Sequence, residues 1–176
     1  MNIILKDAQC DPEIIRLYRQ SFPLLELMPV SLLKRRVRQG RYHICGAYEG
    51  DIPVGLAFYV VTDAGVYLDF LAVFPDKRGN GYGGEILRLL KAQHPEKPLF
   101  LIIERPTDEN TRRRLHFYQR NGFERSGTEL TLFFVDFELL CLGGKVPFEA
   151  FSDAMQCITS PFFIKLFLHR RAHKHA

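Results

Sequence analysis

The spacing of apolar residues changes several times along the chain, and each change marks an element. Ile14, Ile15, Leu17, Tyr18 and Phe22 recur at near-helical intervals after Asp11-Pro12-Glu13, which offers a cap, a first-turn proline and an early acid. That helix must stop by Pro23. A second helix is expected from a Ser31 cap through Gln39, closed by Gly40. Shorter apolar runs over 2–5, 42–48, 54–61 and 66–74 read as strands, joined by the turn-like stretches 49–51 and 62–65. They make an antiparallel meander.

The period then returns to that of a helix over 85–93, with Ile86, Leu87, Leu89 and Leu90 on one face. Pro95 and Pro98 end it and lead into a nearly continuous apolar run at 99–103, the pattern of a strand buried on both faces. Asp108 or Thr107 can cap the next helix, which closes at Asn121-Gly122. Strands over 128–134 and 136–142 follow, then helices over 147–155 and 162–168 around Ser160-Pro161. The expected product is one α/β domain of mixed strand directions, without repeats or low-complexity linkers.

Composition narrows the class without changing that picture. The chain has 176 residues, 47% hydrophobic and 25% charged, enough for a buried core without disulfides or metal. No apolar run approaches the ~18 residues of a membrane span, and the N-terminus lacks a leader pattern, so a cytoplasmic protein is expected. Cys10, Cys45, Cys141 and Cys157 are scattered without metal-like spacing and read as reduced thiols, mostly small core residues. The histidines are isolated or crowded in the tail, so no metal is expected.

The net charge of +4 gathers at 34–38, at Arg112-Arg113-Arg114 and from His169 onward. Such clusters suit a nucleic acid, an acidic surface or cofactor phosphates, or simply face solvent. No aromatic-basic strand motif accompanies them, which weighs against nucleic acid.

The densest chemical signal is Arg78-Gly79-Asn80-Gly81-Tyr82-Gly83-Gly84, four glycines in six residues between a strand and a helix. Glycines let the main chain approach an anion closely, successive N–H groups point at it, and the helix start adds a favourable dipole. The spacing is neither the dinucleotide fingerprint nor a P-loop, since no Lys followed by Ser or Thr comes after the last glycine.

Arg78 to Gly83 matches the Arg/Gln-x-x-Gly-x-Gly/Ala signature of the GNAT acetyltransferase superfamily. Leu68 to Pro75 looks like that superfamily's fourth strand, and Leu115-His116-Phe117-Tyr118-Gln119-Arg120-Asn121-Gly122-Phe123 resembles its aromatic-Tyr-x-x-x-Gly-Phe motif. The resemblance implies a single GNAT-like domain: a largely antiparallel sheet of about seven strands flanked by helices over 1–143, with a helical extension and basic tail over 144–176. It implies acetyl-CoA as acyl donor and transfer to a primary amine, with a CoA-binding regulatory module as the alternative.

Residue by residue, the resemblance implies that backbone groups near Leu71 and Val73 meet the pantetheine arm and acyl carbonyl. The amides of Gly79, Asn80, Gly81, Tyr82, Gly83 and Gly84 would hold the pyrophosphate, with Arg78 positioning the loop and Lys77 as a further phosphate contact. Tyr118 would protonate the departing thiolate, a role suited to a phenol of ordinary pKa about 10 beside a thiol of about 8.5. Many members carry Asn seven residues before this tyrosine; here that position is Thr111, and Asn110 lies one further back.

Attack by an amine also needs a proton acceptor. Asp69 in mid-strand, Glu104 at the end of the apolar strand and Glu26 in the apolar connection are the candidates, Glu104 preferred and Glu26 assigned to the acceptor. Phe133, Phe134 and the C-terminal phenylalanines would line an acceptor pocket or, preferably, bury a C-terminal helix. The acceptor's identity and a homodimer stay open.

Overall fold

The computed structural model describes residues 2–24 and 26–170. The end of the basic tail, 171–176, lies outside the described residues. The chain divides into two compact units: Met1–Val60 with Leu68–Pro95, and Val61–Tyr67 with Glu96–Ala176.

In the first unit, strands β1 (Ile3–Asp7), β2 (His43–Glu49) and β3 (Ile52–Val61) pair antiparallel in sequence order, and β4 (Val66–Val73) follows β3 in the sheet. Helix α1 (Pro12–Ser21) starts where the sequence predicts. The Asp11 carboxylate accepts from the Glu13 and Ile14 amides at 2.8 and 3.3 Å, with Pro12 in the first turn. Its inward face is Ile14, Leu17 and Tyr18.

Helix α2 (Val30–Arg38) departs from expectation, because Ser31 is not its cap. Pro29 is, with no side-chain hydrogen bond. The Pro29 carbonyl accepts from the Leu32 and Leu33 amides at 2.9 and 3.1 Å. The ladder therefore begins before Ser31 can close it. Helix α3 (Tyr82–Gln93) follows the glycine segment and buries Ile86, Leu87 and Leu90. Gly55 of β3 is needed here, since a Cβ there would stand 2.6 Å from the Ala72 carbonyl and 2.9 Å from Ile86.

In the second unit, the first residues of β4 pair in parallel with β5 (Leu99–Glu104), Val66 opposite Leu99 and Tyr67 opposite Phe100. Helix α4 (Glu109–Arg120) leads on to β6 (Glu124–Leu132) and β7 (Val135–Leu142). β7 lies between β5 and β6, antiparallel to both. β6 opens four residues ahead of the expected 128, because Gly127 at φ +82° forms a bulge within the strand rather than a break before it. The hairpin turn falls on Phe133 and Phe134 at φ +49° and +67°. Helices α5 (Phe148–Ile158) and α6 (Pro161–Phe167) end the unit with a short β8 (Leu168–Arg170), antiparallel to β6. Phe151 of α5 meets Tyr67 edge-on at 5.3 Å.

The fold is thus mixed α/β with a mainly antiparallel sheet, as expected, with eight strands among the described residues. Of the cysteines, Cys141 is buried and Cys10 is exposed, so the expectation of core thiols holds only in part. No helix among the described residues is long and apolar enough to cross a membrane, and no cluster of His, Cys, Asp and Glu among them could hold a metal ion.

Candidate functional site

The glycine segment begins where β4 ends. A single 3₁₀ turn, Pro75–Lys77, leads to Arg78, whose Nε–H donates to the Val73 carbonyl at 3.1 Å. Gly79 and Gly81 stand at φ +81° and +83°, the left-handed region that glycine enters without steric cost. Between them the Asn80 amide donates to the Lys77 and Arg78 carbonyls at 3.2 and 3.4 Å, tightening the turn.

Gly81 is the cap of α3 and supplies no side-chain bond. The helical ladder opens only with the Glu85 amide on the Gly81 carbonyl, at 3.1 Å. The amides of Tyr82, Gly83 and Gly84 precede it and are the donors a helix start leaves over. Tyr82 turns its hydroxyl to Glu49 at 2.7 Å, so it contributes its backbone rather than its phenol.

β4 alternates in burial along its length. Phe70 and Ala72 are buried, while Asp69, Leu71 and Val73 share the more open face. Asp69 Oδ2 accepts a hydrogen bond from the Tyr42 hydroxyl at 2.6 Å. Although Asp69 keeps some solvent contact, the surrounding protein removes enough water to push its carboxyl up to about 7. The Tyr42 bond opposes this and the charge of Glu26 adds to it.

Glu26 lies in the connection between α1 and α2. That connection is pinned by Tyr18, whose hydroxyl accepts from the Met28 amide at 2.8 Å and donates to the Met28 carbonyl at 3.3 Å. The first unit therefore brings Asp69 and Glu26 within electrostatic reach, together with Tyr42, which the sequence reading passed over as a strand residue. A phenol ahead of β2 and an acid on β4 carry no joint signal until the strands are in register.

In the second unit, Tyr118 sits on α4 with its ring edge-on to Phe117 at 5.1 Å and Phe123 at 5.4 Å. Burial pushes its phenol up to about 12, with Arg114 pulling the other way. Glu104 is the half-buried last residue of β5, opposite Phe137 of β7.

At the start of α4 the cap is Asp108, which accepts from the Thr111 amide at 2.8 Å. The Thr111 hydroxyl returns the bond, accepting from the Asp108 amide at 3.0 Å and donating to the Asp108 carboxylate at 2.9 Å. Thr111 is buried and occupied by this box, whereas Asn110 is exposed in the first turn.

Residues 40–125, which carry both the glycine turn and Tyr118, match the family model of the acetyltransferase (GNAT) domain. Over that stretch the chain is similar to the GNAT family. Over 74 residues it is 40% identical to "Putative acetyltransferase YjbC" of Bacillus subtilis, a stretch that takes in 40% of this chain and 37% of that protein. A GNAT-family structure from Bacteroides thetaiotaomicron superposes with a TM-score of 0.73 at 24% identity, covering 93% of this chain and 99% of its own. Arabidopsis thaliana Naa50, solved with the bisubstrate analogue CoA-Ac-MVNAL, gives a TM-score of 0.60 at 18% identity, over 82% and 100% of the two chains. These structural likenesses are of fold, and the GNAT fold is what they share.

Proposed function

We propose that the protein transfers the acetyl group of acetyl-CoA to a primary amine. The observation that carries this reading is the turn from Arg78 to Gly84. Its positive-φ glycines and uncapped α3 start present backbone donors to an anion, directly after the end of β4. A CoA pyrophosphate suits those donors, and the backbone around Leu71 and Val73 is assigned to the pantetheine arm.

In the reaction the amine nitrogen attacks the acetyl carbonyl carbon, the carbon–sulfur bond breaks, and CoA leaves as a thiolate. The nitrogen sheds a proton. Asp69 is the favoured acceptor over Glu104, because a carboxyl pushed up to about 7 is poised to take up a proton near neutral pH. This reverses the preference drawn from sequence. Tyr118 is assigned the proton for the thiolate, from its place in the family motif. Burial keeps that phenol protonated across the neutral range. Glu26 is assigned to the cationic acceptor. Thr111 is committed to its capping box, so the neighbouring cofactor contact falls to Asn110.

The test is thiol release from acetyl-CoA against a panel of small amines, amino acids, polyamines and peptides, with acetyl-CoA binding followed by thermal shift. Binding with amine-dependent thiol release is expected. Absence of acetyl-CoA binding would overturn the reading, and binding without turnover on any amine would favour a regulatory module.

A further inference from the structure

We infer that Tyr42 is a positioning residue for the proton-accepting carboxylate, holding Asp69 Oδ2 so that the second carboxyl oxygen remains for proton transfer. The inference rests on the reading of Asp69 as the base. Three observations carry it.

The contact is short for a neutral pair: 2.6 Å from phenol oxygen to carboxylate oxygen, the range of a charge-assisted bond. The donor is also fixed. The Tyr42 ring is 1% exposed and stands edge-on to Phe58, which in turn contacts Tyr18 and Phe70 in one aromatic cluster. A phenol so enclosed cannot follow the carboxylate to another rotamer, so the carboxylate is held to it. Finally, the titratable groups acting at Asp69 do not all act in one direction. Tyr18 on α1 and Tyr42 ahead of β2 are phenols, and Glu26 after α1 is an acid. Burial and Glu26 both favour the protonated carboxyl, while the Tyr42 bond favours the ionised form. Without it, the balance at Asp69 would move further toward the protonated carboxyl, a far weaker proton acceptor than the carboxylate. A bond that only tied β4 to the segment before β2 could be replaced by shape. This one sets whether the acid can serve.

The experiment is a carboxyl-carbon NMR titration of the full chain labelled at aspartate, with the Asp69 signal assigned by Asp69→Asn. The wild-type midpoint is expected near 7. In Tyr42→Phe it should rise by roughly one pH unit, the size of one lost hydrogen bond to a charge. Placing 3-fluorotyrosine at position 42, a more acidic phenol of nearly the same shape, should lower it. That second variant keeps the test open should Tyr42→Phe unfold.

An unmoved midpoint in a folded variant that still binds acetyl-CoA overturns the inference, as does a wild-type midpoint in the ordinary carboxylate range. Failure of the underlying reading has a different signature. Full acetyl transfer by Asp69→Asn would remove Asp69 as the base while leaving the titration result standing.

Discussion

The Arg78 guanidinium donates from Nε to the carbonyl of Val73, five residues back, and so fastens the glycine turn to the strand that precedes it. The bond leaves the terminal nitrogens of Arg78 outside the contact and makes the turn's geometry depend on the register of β4. Arg78→Ala should therefore weaken acetyl-CoA binding by loosening the turn, with little effect on stability because Arg78 is exposed. Calorimetric titration should show a dissociation constant raised about tenfold, equivalent to about 1.4 kcal/mol. Arg78→Lys keeps the charge without the Nε donor and should not restore it.

Gly81→Ala asks a side chain to occupy φ +83° at the cap of α3. The backbone cost is about 1 kcal/mol, and it falls where the backbone donors proposed for the pyrophosphate are aimed. Both melting temperature and acetyl-CoA affinity should drop. The contrasting change is Gly55→Ala, whose Cβ meets the Ala72 carbonyl at 2.6 Å. Overpacking of this kind costs roughly 1–3 kcal/mol, and urea unfolding should register it.

Asp69 gives the protein a pH-dependent stability. Its carboxyl is raised in the folded state, from an ordinary 3.8 to about 7, so the folded form binds the proton more tightly than the unfolded one. Its contribution is fully present below about pH 4, is lost as pH rises through about 7, and stays lost above it. Asp69→Asn should remove that part of the decline. The measurement is the melting temperature from pH 4.5 to 8.5, where the variant's curve should be flatter than the wild type's.

Tyr118→Phe should lower turnover at saturating amine by one to two orders of magnitude, the usual range for loss of a general acid. Acetyl-CoA affinity should change little. Because the wild-type phenol titrates at about 12, its ionisation should contribute no alkaline decline below about pH 11. Unchanged turnover would sink its assigned role.

The Thr111 hydroxyl serves the first turn of α4. Thr111→Val preserves shape and removes those bonds, so it should cost about 1 kcal/mol in urea unfolding. Its effect on acetyl-CoA affinity should be slight.

What was legible in the sequence was local. Asp11-Pro12 announced α1, and the glycine run announced the turn, because caps and positive-φ positions are set within a few residues. The Tyr42–Asp69 pair was not legible, since it spans 27 residues and exists only once the strands are in register. Ser31 looked like a cap because the type was right, but Pro29 had already opened the helix. The Phe133-Phe134 turn was hidden because bulky residues rarely hold positive φ, and their β-forming character read as strand. β8 was missed for the same reason of scale: three residues become a strand only by lying against β6.

Helix α3 begins at a residue that has no side chain with which to close it. In most helices serine, threonine or aspartate does that work, and the helix is complete when the chain is complete. Here the proposed ligand would be the last component of the helix, supplied from outside. Occupancy and order at this end of α3 then become one variable. Amide exchange at Tyr82 to Gly84 would act as a gauge of how much acyl-CoA surrounds the protein.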